Sequence, residues 1–399
     1  MRRIALITPL LPIPRDPTRG RFIYETARAL SKIASVRVFL QHPNYPSLGG
    51  LLPRRLQTAQ IGDDYHLEGL DVEPLEYPAL PIVSRTLNGW VSGRTLLPRL
   101  RRYAPELVLA YWVYPDGYGA LGAARRLGVP CVVGALGSDI HLRAGLSAVL
   151  TRRTIARADA LVTVSDAMRR FAISNFGADP ARVHTITNGF NASVFHPRPQ
   201  AESRSRLGVP ADAELVVYVG RLVEAKGLLE LIEAVRLLAP RRPRLAVALI
   251  GNGPMREPLR GALTAAGLAE RVTMPGGLPP ERVAEWIGAS DLLTLPSWSE
   301  GYPNVLVEAV ACGRPVVATD VGGVAEIVSA LNGVLVPPRA PTALASALDS
   351  ALTRRWDHCA IAAATHRSWD DVARETLALC EQTLDQRGRN RANRGVPEP

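Results

Sequence analysis

The chain has 399 residues, 47% of them apolar and 21% charged. That length exceeds one ordinary core and implies two domains, the balance excludes a disordered chain, and no uninterrupted run of about 18 apolar residues marks a membrane span. The formal charge is +10, and the whole excess lies in residues 1–190, which hold 24 Arg and Lys against 14 Asp and Glu, while residues 191–399 hold 23 of each.

The first elements also bear on targeting. An apolar run, Arg3–Thr8, opens the chain, but Pro9 and Pro12 interrupt it and no small-residue cleavage site precedes Arg15 and Asp16. A buried strand ending in a loop is expected there, not a signal peptide. Further short apolar runs follow at Val36–Leu40, Leu107–Ala110, Pro130–Val133, Ala160–Val164 and Val183–Ile186. Helical patterns lie between them at Ile23–Ser31, Gly117–Leu127 and Asp166–Phe176. Strands alternating with helices predict an α/β domain whose parallel sheet is covered on both faces.

A break at His196–Asp212, with Pro197, Pro199 and Pro210, reads as an interdomain linker. The alternation then restarts with Leu215–Val219, Leu245–Ile250, Val272–Met274, Leu292–Leu295, Pro315–Ala318 and Gly333–Val336. Its helices are expected at Leu228–Leu238, Glu257–Ala266, Pro280–Gly288, Asn304–Ala311 and Thr342–Leu352. The expected domains are residues 1–192 and 193–367. A terminal helix, 368–385, packs back on the first, and 386–399 form a flexible tail. Two open α/β sheets bind ligands beyond their strand C-termini, so a cleft between the domains is the expected site, closing about a hinge near Asn191–Pro197.

Arginine pairs at 54–55, 101–102, 125–126, 152–153 and 169–170 supply most of the excess charge in the first half. No zinc-finger spacing or aromatic-rich basic strand favours nucleic acid. An anionic membrane face, a phosphorylated ligand and a solvated arginine-rich surface remain. Cys131, Cys312, Cys359 and Cys380 form no Cys-x-x-Cys pair, as expected of reduced, mostly buried thiols in a cytoplasmic protein.

Two segments of the second half carry chemistry. Residues 218–227 run from a strand into a helix through Gly220, Arg221, Lys226 and Gly227. Two cations converging on a helix start make a diphosphate site. Lys226 is one of only two lysines, with Lys32, in a chain that otherwise uses 45 arginines, which suggests that a compact charge is needed there. Residues 296–310 run from a strand through Glu300, Gly301 and Pro303 into a helix bearing Asn304, Val305 and Glu308. Backbone N–H groups at such a helix start suit an anion or hydroxyl, and carboxylates at both ends of the turn suit sugar hydroxyls.

The Gly220–Gly227 stretch, Ile250–Pro254, Ala289–Leu292, Ser299–Gly323 with Glu300 and Glu308 eight apart, and Ala318–Gly323 resemble the family 4 (group 1) retaining glycosyltransferases of the GT-B fold. The first half is similar more loosely, through Thr18–Glu25 around Gly20 and through Gly137–Ile140, and the overall pattern resembles bacterial enzymes that assemble cell-surface polysaccharides.

The resemblance implies that Arg221 and Lys226 bind the donor pyrophosphate and stabilise the leaving nucleoside diphosphate. It implies that Glu308 binds the ribose and that Glu300 binds donor-sugar hydroxyls with the Gly301–Val305 backbone, Asn304 included. Leu278 would meet the base beside Gly277, and Gly20 would let its loop approach the phosphates or acceptor. Gly220 shapes the diphosphate turn, and Asp139 would face the cleft. Many relatives carry His immediately before the glycine matching Gly137; here it is Leu136, which implies an altered donor or acceptor preference. With Arg and Lys supplying charge to the leaving group, and no clustered Asp/His ligand set, no essential metal or other cofactor is expected.

The expected activity is retaining transfer from a nucleotide sugar to a glycan or lipid-linked acceptor, in the cytoplasm or at the inner face of the membrane. A GT-B sugar-nucleotide epimerase and a non-catalytic nucleotide-sugar-binding scaffold are the alternatives. The Tyr111–Tyr114 aromatic loop is expected to pack at a strand end, or else to be an acceptor platform.

Overall fold

The computed structural model describes residues 1–392 except Arg15, Pro17, 46–60, 62–64, 80–85 and 142–144. Arg54, Arg55 and residues 393–399 of the expected tail lie outside the described residues. The chain divides into two compact units, one of Met1–Asn188 with Trp369–Pro399 and one of Gly189–Ser368.

The first unit holds a parallel sheet of β1 (Arg3–Thr8), β2 (Ser35–Asn44), β3 (Asp71–Pro78), β4 (Leu107–Tyr111), β5 (Cys131–Ala135), β6 (Ala160–Thr163) and β7 (Val183–Thr185). Their spatial order is β3-β2-β1-β4-β5-β6-β7. Its helices are α1 (Arg21–Ser31), α2 (Asn88–Tyr103), α3 (Tyr118–Leu127), α4 (Ser138–His141), α5 (Gly145–Arg157) and α6 (Asp166–Phe176). The inner strands β4 and β5 are buried at every residue, as helices on both faces require.

Four elements here were not expected, the short α4 among them. β3 carries Pro74 and Pro78 among charged residues; at the sheet edge a missing N–H is tolerated. α2 contains Pro98, Gly89 and Gly93, residues that disfavour a helix until packing compensates. α5 has only a weak apolar stripe.

The second unit holds β8 (Glu214–Val219), β9 (Leu245–Ile250), β10 (Val272–Gly276), β11 (Leu292–Leu295), β12 (Val316–Thr319) and β13 (Gly333–Val336), in the order β10-β9-β8-β11-β12-β13. Around them lie α7 (Gln200–Leu207), α8 (Leu228–Leu238), α9 (Arg256–Ala265), α10 (Pro280–Ala289), α11 (Asn304–Ala311), α12 (Pro341–Thr353) and α13 (His358–Ala363). All strand pairs in this sheet are parallel.

The expected linker 196–212 is instead built into this unit. Arg204 of α7 is buried; its Nε donates to the Ala289 carbonyl at 3.0 Å, its Nη1 to that of Ala211 at 2.6 Å, and its Nη2 to Asp291 Oδ2 at 2.8 Å. Polar composition suggested a loop where a buried guanidinium makes three hydrogen bonds.

The last helix, α14 (Trp369–Ala392), belongs to the first unit. It buries Val372, Ala373, Leu379 and Cys380 in that unit's core, and Lys32 Nζ meets Asp370 Oδ1 at 2.9 Å. It continues through residues expected to be tail: Arg387 Nη1 donates to the Val129 carbonyl at 2.9 Å and lies 3.2 Å from Asp159 Oδ2. Among the described residues no helix is long and apolar enough to cross a membrane. The four thiols are free; Cys131, Cys312 and Cys380 are buried and Cys359 is exposed.

Candidate active site

In each sheet the strand order reverses next to its first strand, between β1 and β4 and between β8 and β11. Loops leaving two adjacent strands toward opposite sides open a crevice beyond their carboxyl ends. In the second unit those loops are 220–227, after β8, and 296–303, after β11, the two segments singled out from sequence.

The loops are bound to each other. Trp298 N donates to the Ala225 carbonyl at 2.8 Å. Gly227, at φ 64°, leads into α8, and a Cβ there would stand 2.0 Å from the Pro296 carbonyl oxygen. Only glycine permits both that dihedral and that approach. The contact delivers Lys226, whose Nζ donates to Glu300 Oε1 at 2.5 Å. The side chains are 23% and 10% exposed, so the pair is shielded yet still open to a ligand.

Glu300 is fixed from a second side by Ser297 Oγ, which donates to the same oxygen at 2.5 Å; Ser297 is in turn held by Thr319 Oγ1, which donates to its carbonyl at 2.5 Å. Arg221 is exposed on the first loop, and among the described residues its guanidinium makes no ion pair. Its carbonyl accepts from the Tyr218 hydroxyl at 2.9 Å. Burial, reinforced by the nearby Glu300 carboxylate, pushes the Tyr218 phenol well up, so it stays a neutral donor beneath the loop.

The other expected donor residues of the second unit lie on the loops after β8, β10 and β11 and on α11. Gly220 N donates to the Ile250 carbonyl at 2.9 Å. Leu278 is half-buried in the loop after β10, next to Gly277, whose N–H donates to Asn252 Oδ1 at 3.1 Å. Gly301, half-buried, accepts at its carbonyl from Gly323 N at 3.1 Å. Asn304 and Val305 open α11, and Glu308 lies one turn along it, all half-buried.

Sequence reasoning missed Ser297, Glu230, Trp298 and Arg339. Trp298 Nε1 donates to Glu230 Oε1 at 2.9 Å, and the Arg339 guanidinium stacks 4.2 Å from the Trp298 ring centroid. Ser297 stands three residues before Glu300, the one sequence signal that was available. Arg339, in the loop after β13, carries none.

In the first unit Gly20 begins α1 at φ 59°, where a Cβ would lie 2.5 Å from the Leu10 carbonyl oxygen. Asp139 departs from expectation. It is 0% exposed, its Oδ1 accepts from Leu136 N at 2.9 Å and Gly137 N at 2.8 Å, and its Oδ2 accepts from Val113 N at 3.1 Å. The carboxylate shapes the Leu136–Gly137 loop and is not presented to a ligand. Leu136 is half-buried and packs on the unit's core.

The acceptor-platform reading of Tyr111–Tyr114 fails for both tyrosines. They are 7% and 1% exposed, and the Tyr114 hydroxyl donates to the Thr86 carbonyl at 2.7 Å. Among the described residues no group of three His, Cys, Asp or Glu side chains is placed to hold a metal ion.

Comparison with known proteins matches the two units separately. Residues 199–369 match the model of the glycosyl transferases group 1, and residues 20–194 that of glycosyltransferase family 4. A D-inositol 3-phosphate glycosyltransferase 2 of Catenulispora acidiphila is 31% identical over 385 residues, covering 88% of this chain and 87% of that protein. This chain belongs to the group 1 glycosyltransferases. Another relative of this glycosyltransferase is the putative teichuronic acid biosynthesis glycosyltransferase TuaC of Bacillus subtilis, 29% identical over 357 residues, covering 87% and 88%.

Solved structures similar to this glycosyltransferase confirm the GT-B fold, two Rossmann-like parallel-sheet units. Sucrose-phosphate synthase of Thermosynechococcus elongatus superposes with a TM-score of 0.74 at 21% identity over 98% of this chain and 99% of that one. Anabaena HepE in complex with UDP-glucose does so with a TM-score of 0.68 at 21% identity, again over 98% and 99%.

Proposed function

We propose that this glycosyltransferase moves a sugar from a nucleoside diphosphate donor to a glycan or lipid-linked acceptor with retention of anomeric configuration, in cell-surface polysaccharide or glycolipid synthesis. The carrying observation is the shielded Lys226–Glu300 pair where the strand order of the second unit reverses, with Arg221 on the same loop as Lys226. The relative named for teichuronic acid biosynthesis supports a polysaccharide acceptor. A similar fold holding UDP-glucose supports the donor class.

In this reading the bond between the anomeric carbon and the diphosphate oxygen breaks as the acceptor oxygen bonds to that carbon. The acceptor's proton passes to the leaving diphosphate on the same face. Lys226 and Arg221 meet the charge that grows on the diphosphate, with no metal required. Fixed cations in a shielded site supply several kcal/mol of barrier reduction. Glu300 aligns Lys226 and accepts from sugar hydroxyls alongside the Gly301, Asn304 and Val305 backbone. Glu308 accepts from the ribose hydroxyls, Leu278 and Gly220 line the nucleotide's path, and Gly20 lets its loop come near the phosphates.

The test is a panel of UDP-, GDP- and ADP-sugars in chelator, with candidate glycan and polyprenyl acceptors. Products are read by mass and their anomeric configuration by NMR. A retained linkage from one donor class is expected. Release of nucleoside diphosphate from none of them refutes catalysis, and an inverted product refutes the same-face step.

A further inference from the structure

Among the described residues of the second unit, one residue other than glycine takes a positive φ: Arg339, at 58°. It stands after Pro337 and Pro338 in the loop between β13 and α12. A side chain in left-handed backbone carries a strain that glycine would escape, so a non-glycine residue there points to a use for its side chain. The exposed Arg339 guanidinium lies 4.2 Å from the centroid of the Trp298 ring, a cation–π contact between the loops after β13 and β11.

Trp298 is where the two donor loops are joined. Its backbone N–H donates to the Ala225 carbonyl at 2.8 Å, one residue before Lys226, and Glu300 follows it two residues on. Ser297, just before it, donates from Oγ to Glu300 Oε1, the same oxygen that accepts from Lys226 Nζ. The indole is held from two further elements: Nε1 donates to Glu230 Oε1 of α8 at 2.9 Å, and Arg339 covers the ring. A shift of that ring therefore moves the backbone that carries Glu300 and ties it to the Lys226 loop.

We propose that Arg339, acting through Trp298, is a positioning residue for the Lys226–Glu300 pair, holding the loop after β11 in register with the loop after β8. The inference rests on reading that pair as the donor diphosphate site, and it adds the loop after β13 to the machinery. The far end of the Glu300 loop has its own brace, Gly323 N on the Gly301 carbonyl at 3.1 Å, so loss of Arg339 loosens one end and leaves the fold in place. A partly exposed cation–π contact shifts a local equilibrium by about two- to fivefold, and that bounds the effect expected on loop opening and on kcat.

The test is Arg339→Gly in the full chain. Relief of the left-handed strain offsets the lost stack and the freer unfolded glycine, so the urea midpoint should stay at the parent's. Amide hydrogen exchange read by mass spectrometry should rise about two- to fivefold in residues 221–227 and 297–301 and nowhere else. With an active donor, kcat should fall by the same factor while donor KM is unchanged. Arg339→Lys, which keeps a cation over the ring, should recover most of the loss. In a Trp298→Leu background Arg339→Gly should add nothing, because its route to the pair is already cut. Arg354→Gln removes a comparable stack, 3.9 Å from the Trp356 ring centroid, and should leave loop exchange and kcat at parental values. Unchanged exchange in those two loops, a loss of kcat that persists in the Trp298→Leu background, or equal loosening in Arg354→Gln overturns the proposal. So does a lowered urea midpoint with faster exchange throughout the unit, which would make Arg339 a stability residue alone. A parent that releases nucleoside diphosphate from no donor refutes the reading of the site instead, and the exchange measurement still decides whether Arg339 braces the pair.

Discussion

Replacing Lys226 by Ala or by the near-isosteric Met removes one positive charge from beside Glu300, whose Oε1 accepts its proton at 2.5 Å. At an effective dielectric of about 20, a unit charge 4 Å from another contributes about 4 kcal/mol, and only the fraction of diphosphate charge that develops during bond breaking enters kcat. Loss of one fixed transition-state donor typically costs about 10²- to 10³-fold in kcat, or about 3–4 kcal/mol, and that is the expected loss here. The pair is partly shielded, at 23% and 10% exposure, so its stability contribution should fall between the surface and buried limits, about 1–3 kcal/mol. The assay is nucleoside diphosphate release at saturating donor, with urea unfolding of each variant to separate folding from catalysis. A double-mutant cycle with Glu300→Gln should show strong non-additivity, because each single change dismantles the same unit. A Lys226→Met enzyme that is folded and turns over within fivefold of the parent refutes the reasoning. Loss confined to KM would reassign Lys226 to ground-state binding.

Arg204→Ala should destabilise the second unit by about 2–4 kcal/mol. It removes a buried guanidinium from Asp291, which is itself one-third exposed and keeps hydrogen bonds from Leu215 N and Gln200 Nε2; a loss below 1 kcal/mol by urea titration would return residues 196–212 to a linker role. His42 is buried, its Nε2 has no hydrogen-bond partner among the described residues, and burial followed by the Arg19 charge outweighs Glu76 at 3.8 Å to hold its pKa below the usual 6.5. The unfolded chain thus takes up a proton first as pH falls through about 6.5, so stability present above that pH is lost below it. The fall in Tm between pH 7.5 and 5.5 should be shallower in His42→Gln, and an identical slope would remove His42 from the acid response.

The second half was readable because local chemistry and global topology agree there. Glycine at residue 227 and the cation before it sit where a strand must turn into a helix, and all six of its strands were placed by their apolar runs. Ser297 and Arg339 escaped notice because their importance arises from neighbours brought close only by folding. The first half was less legible. β3 is a proline-bearing edge strand and α2 a proline- and glycine-bearing helix, and each is held by packing against local propensity.

Taken alone, the amino-acid order determined the two parallel α/β sheets, the family, and the two loop segments that the folded second unit brings together. Those depend on periodicities and turn chemistry spanning a few residues, which the covalent chain carries with it. Only the tertiary structure decided which charges meet which. It turned Asp139 inward to hold three backbone N–H groups, set Lys226 against Glu300 across 74 residues, and gathered arginines of two helices that lack carboxylates, α3 and α5, around one groove. The physical reason is that an ionic side chain's role depends on its solvent and counter-charges, and both are supplied by segments distant in the chain.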